Sequence, residues 1–257
     1  FPGSNCEYDT ARAFRLAGAE PEILVLRNLD AAGLAESLKA FAEAISRSQI
    51  LMIPGGFSAG DEPDGSGKFI AAIIKAPIVR DAVMELLKSR DGLALGICNG
   101  FQALIKTGLV PFGEIRDVDA SAPTLFHNRI ARHISRYAHT RVASVKSPWL
   151  SRMEVGQVHT IPLSHGEGRF TAPASVIADL VKNGQVAFQY CDAAGQPSNA
   201  IEFNPNGSLE AIEGITSPCG RVLGKMGHSE RTGANVAKNI PGNKHQPLFQ
   251  GGVDYFA

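Results

Sequence analysis

The chain has 257 residues, enough for one large α/β domain or two small ones. Hydrophobic residues make up 44% and charged residues 19%, the balance of a globular protein with ample material for a core. Lys+Arg and Asp+Glu both number 25, so a formal charge of zero argues against nucleic-acid or acidic-membrane partners; no apolar run approaches the roughly 18 residues of a membrane span, and no signal peptide is visible.

The chain opens on FPGSNCEYDTARAF. FPGSN reads as a turn and residues 6–16 as a helix capped by Ser4 or Asn5. A βα turn with no strand ahead of it leads us to expect a piece of a longer polypeptide, cut after its first strand; the alternative is a domain that begins with a helix. Residues 22–26 (EILVL) read as a strand and residues 33–46 as a helix with its apolar positions at Leu34, Leu38, Phe41 and Ile45. Residues 49–53 (QILMI) form a second expected strand, ending in Pro54-Gly55-Gly56. Helices follow around residues 69–74 and 78–89, then a strand at 92–97 and a helix at 99–106. Apolar strands alternating with amphipathic helices imply an open, mostly parallel sheet flanked by helices.

The second half carries more antiparallel signals. Residues 140–145, 158–163 and 186–190 read as strands, QPS at 196–198 and NPNGS at 204–208 as turns, and residues 209–215 with 221–226 as a hairpin or sheet-crossing pair. The expectation is one α/β domain over residues 1–257, with additional antiparallel strands in its second half and a Gly/Asn/Pro-rich tail from Gly233 wrapping the surface. There is no internal repeat and no convincing linker.

Cys98 stands out in GLALGICNGFQ, residues 92–102. It sits at the carboxyl end of an expected parallel strand, on a glycine-flanked turn into a helix, which is where open α/β sheets bind ligands. This is the geometry of a nucleophile elbow with Cys in place of Ser. The helix N-terminus favours a thiolate, and the backbone N–H of Asn99 is placed to receive an oxyanion. The alternative is a small apolar residue closing the end of a buried strand.

A cysteine nucleophile needs a base, and the base needs an orienting group. Of seven histidines, His127, His133, His139, His159 and His245 read as surface or hydrogen-bonding residues. His165 in SHGEGR and His228 in KMGHSER each have a glutamate two residues on, Glu167 and Glu230 respectively. Spacing alone leaves both open, with His228 slightly ahead.

PGGFSAGD at 54–61, GICNGFQ at 96–102, SHGEGRF at 164–170 and MGHSER at 226–231 occur together and in order. With them the chain resembles the triad-type (class I) glutamine amidotransferases, and among these the glutaminase domains of phosphoribosylformylglycinamidine synthases; the opening FPGSNCEYDTARAF, HNRIARHISRYAHTRV and KSPWL extend the likeness over nearly the whole length. The resemblance implies a flavodoxin-like fold, a place as the C-terminal part of the parent chain, and a cytoplasmic enzyme of purine biosynthesis. It implies Cys98 as nucleophile, His228 as general base and acid, and Glu230 as orienting carboxylate. Gly55, Gly56 and Phe57 would form the oxyanion hole with Asn99, while Gln102, Ser164, His165 and Gly166 would bind glutamine. The family position after Gly100 is often a second Cys and here is Phe101, which lies outside the triad.

The implied partners are glutamine and the synthetase part of the parent enzyme, to which ammonia passes. No GxxxxGK[ST] is present, and GSGK at 65–68 lacks the first half of a phosphate loop, so ATP and Mg²⁺ are expected in the synthetase part and no cofactor or metal in this domain. Two other readings are a different γ-glutamyl or peptide cysteine hydrolase and a catalytically silent interaction domain. Cys6, Cys191 and Cys219 read as packing or surface thiols of a reduced, cytosolic protein, since no CxxC occurs. Trp149 reads as a packing anchor, the arginine-containing stretch 129–141 as a docking surface, and Asp61 as a helix cap.

Overall fold

The computed structural model describes residues 1–57 and 66–257 of the chain. In chain order its strands are β1 (Ile50–Ile53), β2 (Leu93–Ile97), β3 (Thr124–His127), β4 (Ile134–Val142), β5 (Val158–His165), β6 (Glu167–Thr171), β7 (Val186–Tyr190), β8 (Ile212–Thr216) and β9 (Val222–Lys225). Its helices are α1 (Glu7–Leu16), α2 (Ala31–Arg47), α3 (Lys68–Lys75), α4 (Pro77–Lys88), α5 (Asn99–Thr107), α6 (Leu109–Phe112), α7 (Ala174–Lys182) and α8 (Leu248–Asp254). Among the described residues no helix is long and apolar enough to cross a membrane.

Seven strands form one sheet in the order β1-β2-β9-β8-β7-β4-β5, and β3 pairs with β6 separately. The sheet is mixed: β1, β2 and β9 run parallel, and every pairing from β9 through to β5 is antiparallel. Every residue of β2 is buried, as a strand covered on both faces must be. Ile70 and Ile74 of α3, Val83 and Leu86 of α4, and Leu104 of α5 share one apolar cluster with Leu93, Leu95 and Ile97 of β2. Full burial of each such side chain contributes about 1.5–3 kcal/mol.

This topology matters because β1, β2 and β9 end together. Ile53 pairs with Gly96, and Gly96 with Gly224. The segments leaving these three carboxyl ends carry Gly55, Cys98 and His228, which are far apart in sequence and adjacent in space.

Several expectations need correction. Residues 22–26 form no strand: a cavity of about 950 Å³ lies between them and β1, and Val25 is exposed, so the segment has no ladder partner. The first helix is capped at Cys6 with no side-chain cap bond, not by Ser4 or Asn5. The strand expected at 140–145 is displaced: β4 begins at Ile134 and ends at Val142, so it takes in much of the arginine-containing stretch. The strand β6 and the helix α7 went unforeseen, and the tail is not merely a wrap, because α8 buries Leu248 and Phe249. Trp149 is fully buried against Phe14, as a packing anchor should be. Ser58, Ala59, Gly60, Asp61 and Gly65 lie outside the described residues.

Candidate active site

Cys98 occupies the single residue between the last position of β2 and the first of α5, with φ 55° and ψ −109°. For a residue with a Cβ this conformation costs on the order of 1–3 kcal/mol, and the surroundings must enforce it. They do so through close approach. A Cβ on Gly96 would stand 2.6 Å from the Gly100 carbonyl oxygen, and one on Gly100 would collide with the carbonyl of Ile53. The Cys98 N–H donates to the Lys225 carbonyl at 2.8 Å, fixing the elbow to β9. The sulfur is nearly buried and lies 3.6 Å from the Ser164 carbonyl oxygen.

His228 follows Met226 and Gly227 out of β9, and its N–H donates to the Pro162 carbonyl at 2.9 Å. Its Nδ1 lies 2.6 Å from Glu230 Oε1, both side chains being essentially inaccessible. Its Nε2 is buried with no hydrogen-bond partner among the described residues. Gly55 lies against both the ring and the elbow: a Cβ there would lie 2.7 Å from His228 Cε1 and 3.3 Å from Cys98 Cβ. Burial works against a charged ring, but the Glu230 carboxylate and then the Cys98 sulfur outweigh it and hold His228 well above its ordinary pKa. Burial likewise pushes Glu230 up, and the charge and hydrogen bond of His228 overcome it, leaving the carboxyl below its usual range.

The same arrangement separates the two histidine candidates. His165 is buried with Nδ1 3.0 Å from Asn128 Oδ1, and burial followed by the charge of His228 pushes it down to about 3. Its expected partner Glu167 instead accepts the N–H of Ser66 at 2.9 Å and lies 3.5 Å from His127. His165 therefore stays a neutral ring with no carboxylate. His159, read as a surface or hydrogen-bonding residue, is fully buried with neither ring nitrogen partnered among the described residues.

The other candidate residues are brought to the same rim, with differences. Gly56 has φ +128° and bridges to Ser4, so the turn needs glycine. Phe57, expected at the oxyanion hole, has its N–H committed to the Gly3 carbonyl at 3.1 Å and its ring largely exposed. Gly55 lies against the elbow, Gly56 against Ser4 and Asn5, and Asn99 is the first residue of α5. Gln102 does not project into open space: it is buried and donates to the Glu167 carbonyl at 2.6 Å, holding the strand turn in place. Ser164 Oγ is 3.2 Å from His133 Nε2, and a Cβ on Gly166 would meet nothing within 4 Å among the described residues.

Some contributors carried no sequence signal. Asn128 donates to the His165 carbonyl at 2.7 Å and its N–H to Gly166 at 2.9 Å, shaping the same turn. Arg12 of α1 donates to the carbonyls of Glu230 and Thr232. Cys6, read as a packing thiol, lies 3.8 Å from His228 Nδ1 and accepts from Arg231 at 2.9 Å.

Comparison with known proteins places the chain in a family. The family model described as CobB/CobQ-like glutamine amidotransferase domain matches residues 1–256. The phosphoribosylformylglycinamidine synthase subunit PurQ of Rhodospirillum rubrum is 36% identical over 256 residues, covering 99% of this chain and 96% of that protein. The subunit of the same name from Methanococcus maripaludis is 36% identical over 231 residues, covering 90% of this chain and 79% of its own. Among solved structures, a chain in the structure of PurLQS from Thermotoga maritima superposes with a TM-score of 0.70 at 26% identity, covering 100% of this chain and 96% of that one. The chain belongs to the CobB/CobQ-like glutamine amidotransferase domain family.

Proposed function

We propose that the chain is the glutaminase of a phosphoribosylformylglycinamidine synthase, releasing ammonia from glutamine for a synthetase partner. The observation that carries this is Cys98 on a strained elbow beside a buried His228–Glu230 pair, in a chain whose relatives carry that subunit's name over nearly their full length.

The chemistry follows from the side chains. His228, held above its ordinary pKa, carries the proton that the Cys98 thiol gives up. The thiolate attacks the carboxamide carbon of glutamine, and backbone N–H groups around Gly55, Gly56 and Asn99 stabilise the oxygen as it becomes negative. His228 then delivers its proton to the departing nitrogen, because an amide anion cannot leave at neutral pH. Ammonia departs and a γ-glutamyl thioester remains on Cys98. Water adds to the thioester, giving a proton to His228; collapse expels the sulfur and releases glutamate. Glu230 stabilises the imidazolium in both halves and fixes the tautomer. The turn at Ser164, His165 and Gly166 borders the nucleophile and is where the amino-acid end of glutamine docks.

No bond in this sequence needs a nucleotide, so ATP and Mg²⁺ are assigned to the synthetase partner, where ammonia is used. The exposed Phe57 ring, in contact with the His133 ring at 5.9 Å, belongs to the surface we assign to that partner. The test is Cys98→Ala in the assembled enzyme. Glutamine-dependent synthesis should vanish while added ammonium salts still support it; continued use of glutamine would overturn the assignment.

A further inference from the structure

A second sulfur lies against the base. Cys6, the N-terminal cap residue of α1, is fully buried, and its Sγ is 3.8 Å from Nδ1 of His228. Glu230 stands on the same side of the ring, and its second oxygen, Oε2, is buried with no side-chain hydrogen-bond partner among the described residues. One thiol sulfur, one imidazole nitrogen and one carboxylate oxygen therefore lie within 4.8 Å of one another, all shielded from solvent. We propose that Cys6, His228 and Glu230 form a binding site for a thiophilic divalent cation, Zn²⁺ being the best fit, and that filling it switches the glutaminase off. The inhibitory part rests on the reading of His228 as the base.

The donor set suits zinc in type and spacing. Zinc takes sulfur at about 2.3 Å and nitrogen or oxygen at about 2.0–2.2 Å, which in a tetrahedron separates the ligands by roughly 3.3–3.6 Å. Cys6 and His228 at 3.8 Å are close to that edge already. His228 and Glu230 at 2.6 Å are drawn together by a shared proton and must part by less than about 1 Å, which a carboxylate with an unpartnered second oxygen can accommodate. Asn5 Oδ1, 3.1 Å from the Cys6 sulfur, offers a fourth oxygen, with water as the alternative. The group that must yield is Arg231, whose guanidinium donates to the sulfur at 2.9 Å and is only partly buried, so it has a path to solvent.

The consequence for catalysis follows from the proton count. The cation replaces two protons, one on the Cys6 sulfur and one on His228 Nδ1, and both go to solvent. The ring is then neutral with its remaining proton on Nε2. That proton is the one taken from Cys98, and giving it to the departing nitrogen would now leave an imidazolate; the positive charge that held the thiolate and the bond to Glu230 are gone as well. Cys98 itself is not a ligand.

Two measurements test this. Co²⁺, a spectroscopic stand-in for Zn²⁺, is titrated into the metal-free Cys98→Ala chain. A thiolate-to-cobalt charge-transfer band saturating at one equivalent is expected, lost when Cys6→Ser is added and also lost when His228→Ala is added. The second variant serves if the first does not fold; a band of unchanged strength in either overturns the site. In parallel, Zn²⁺ is titrated against glutamine hydrolysis by the chain with its synthetase partner. Inhibition reversed by EDTA is expected, with the inhibiting concentration raised at least tenfold in Cys6→Ser relative to that variant's own metal-free rate. Equal sensitivity of Cys6→Ser would place the ion on Cys98 and overturn the proposal. Absence of hydrolysis without zinc would overturn the glutaminase reading and leave the cobalt result to judge the site alone.

Discussion

Lys225 and Glu213 form an ion pair at 3.3 Å with both side chains fully shielded from solvent, and both grip the same residue. Lys225 Nζ donates to the Gly227 carbonyl at 2.6 Å, and Glu213 Oε1 accepts the Gly227 N–H at 2.5 Å. Gly227 immediately precedes His228, so the pair sets where the imidazole leaves β9. Removing one partner strands a buried charge. Glu213→Gln is expected to lower unfolding free energy by about 3–5 kcal/mol in urea titrations. The double variant Lys225→Met with Glu213→Leu should recover much of that stability and little of the glutaminase rate. Recovery of both together would reduce the pair to a packing role.

Glu230→Gln tests the orienting carboxylate. An amide in place of Oε1 and Oε2 cannot balance an imidazolium and can hold the wrong tautomer, so kcat should fall by about 10³–10⁴-fold. Steady-state glutamine hydrolysis measures it, and a loss under tenfold would remove Glu230 from the mechanism.

Gly55 and Gly166 make a contrasting pair. A methyl group at 55 would press on both the His228 ring and Cys98, whereas at 166 it would meet nothing within 4 Å. Gly55→Ala should cut kcat about 10²-fold by displacing the reacting groups. Gly166→Ala should leave the melting temperature unchanged, and a rise in KM for glutamine would report that this turn touches the substrate. An unaltered KM would remove Gly166 from the glutamine site.

Stability should fall on mild acidification. Burial, then the charge of His228, pushes His165 down to about 3; burial, then the charge of Lys225, pushes His159 down to about 4. In the unfolded chain both take a proton near the ordinary value of 6.5. The unfolded state then binds more protons, so stability is full above that value and declines until the folded-state values are reached. Between about pH 6.5 and 5 each ring should cost roughly 2 kcal/mol. Urea midpoints at the two pH values measure this, and His159→Phe should remove about half of the slope. A midpoint independent of pH would contradict the neutral buried rings.

Much of the site was readable because its signals are local. An apolar run, a glycine on either side of Cys98 and a following helix specify a strand, an elbow and a helix N-terminus within a few residues. The choice between His228 and His165 was not readable from spacing, since each has a glutamate two positions on; in the structure His228 keeps its carboxylate at 2.6 Å, whereas His165 faces Asn128. Phe57 was misplaced at the oxyanion hole because backbone hydrogen bonds leave no mark on side-chain identity, and its N–H is already given to Gly3. Cys6 passed as packing because its neighbours, His228 and Arg231, are more than 200 residues away in sequence. The segment 22–26 has the composition of a strand, but a cavity separates it from β1, the strand at the edge of the sheet.

The account turns on Cys98 being the one thiol that His228 activates towards glutamine. Treating the chain with a chloroketone analogue of glutamine and mapping the adduct by peptide mass spectrometry tests that directly. A single adduct on Cys98, formed more slowly in the presence of glutamine and lost in His228→Ala, is the predicted result. An unmodified Cys98, with the label on the exposed thiol of Cys219 instead, would contradict it.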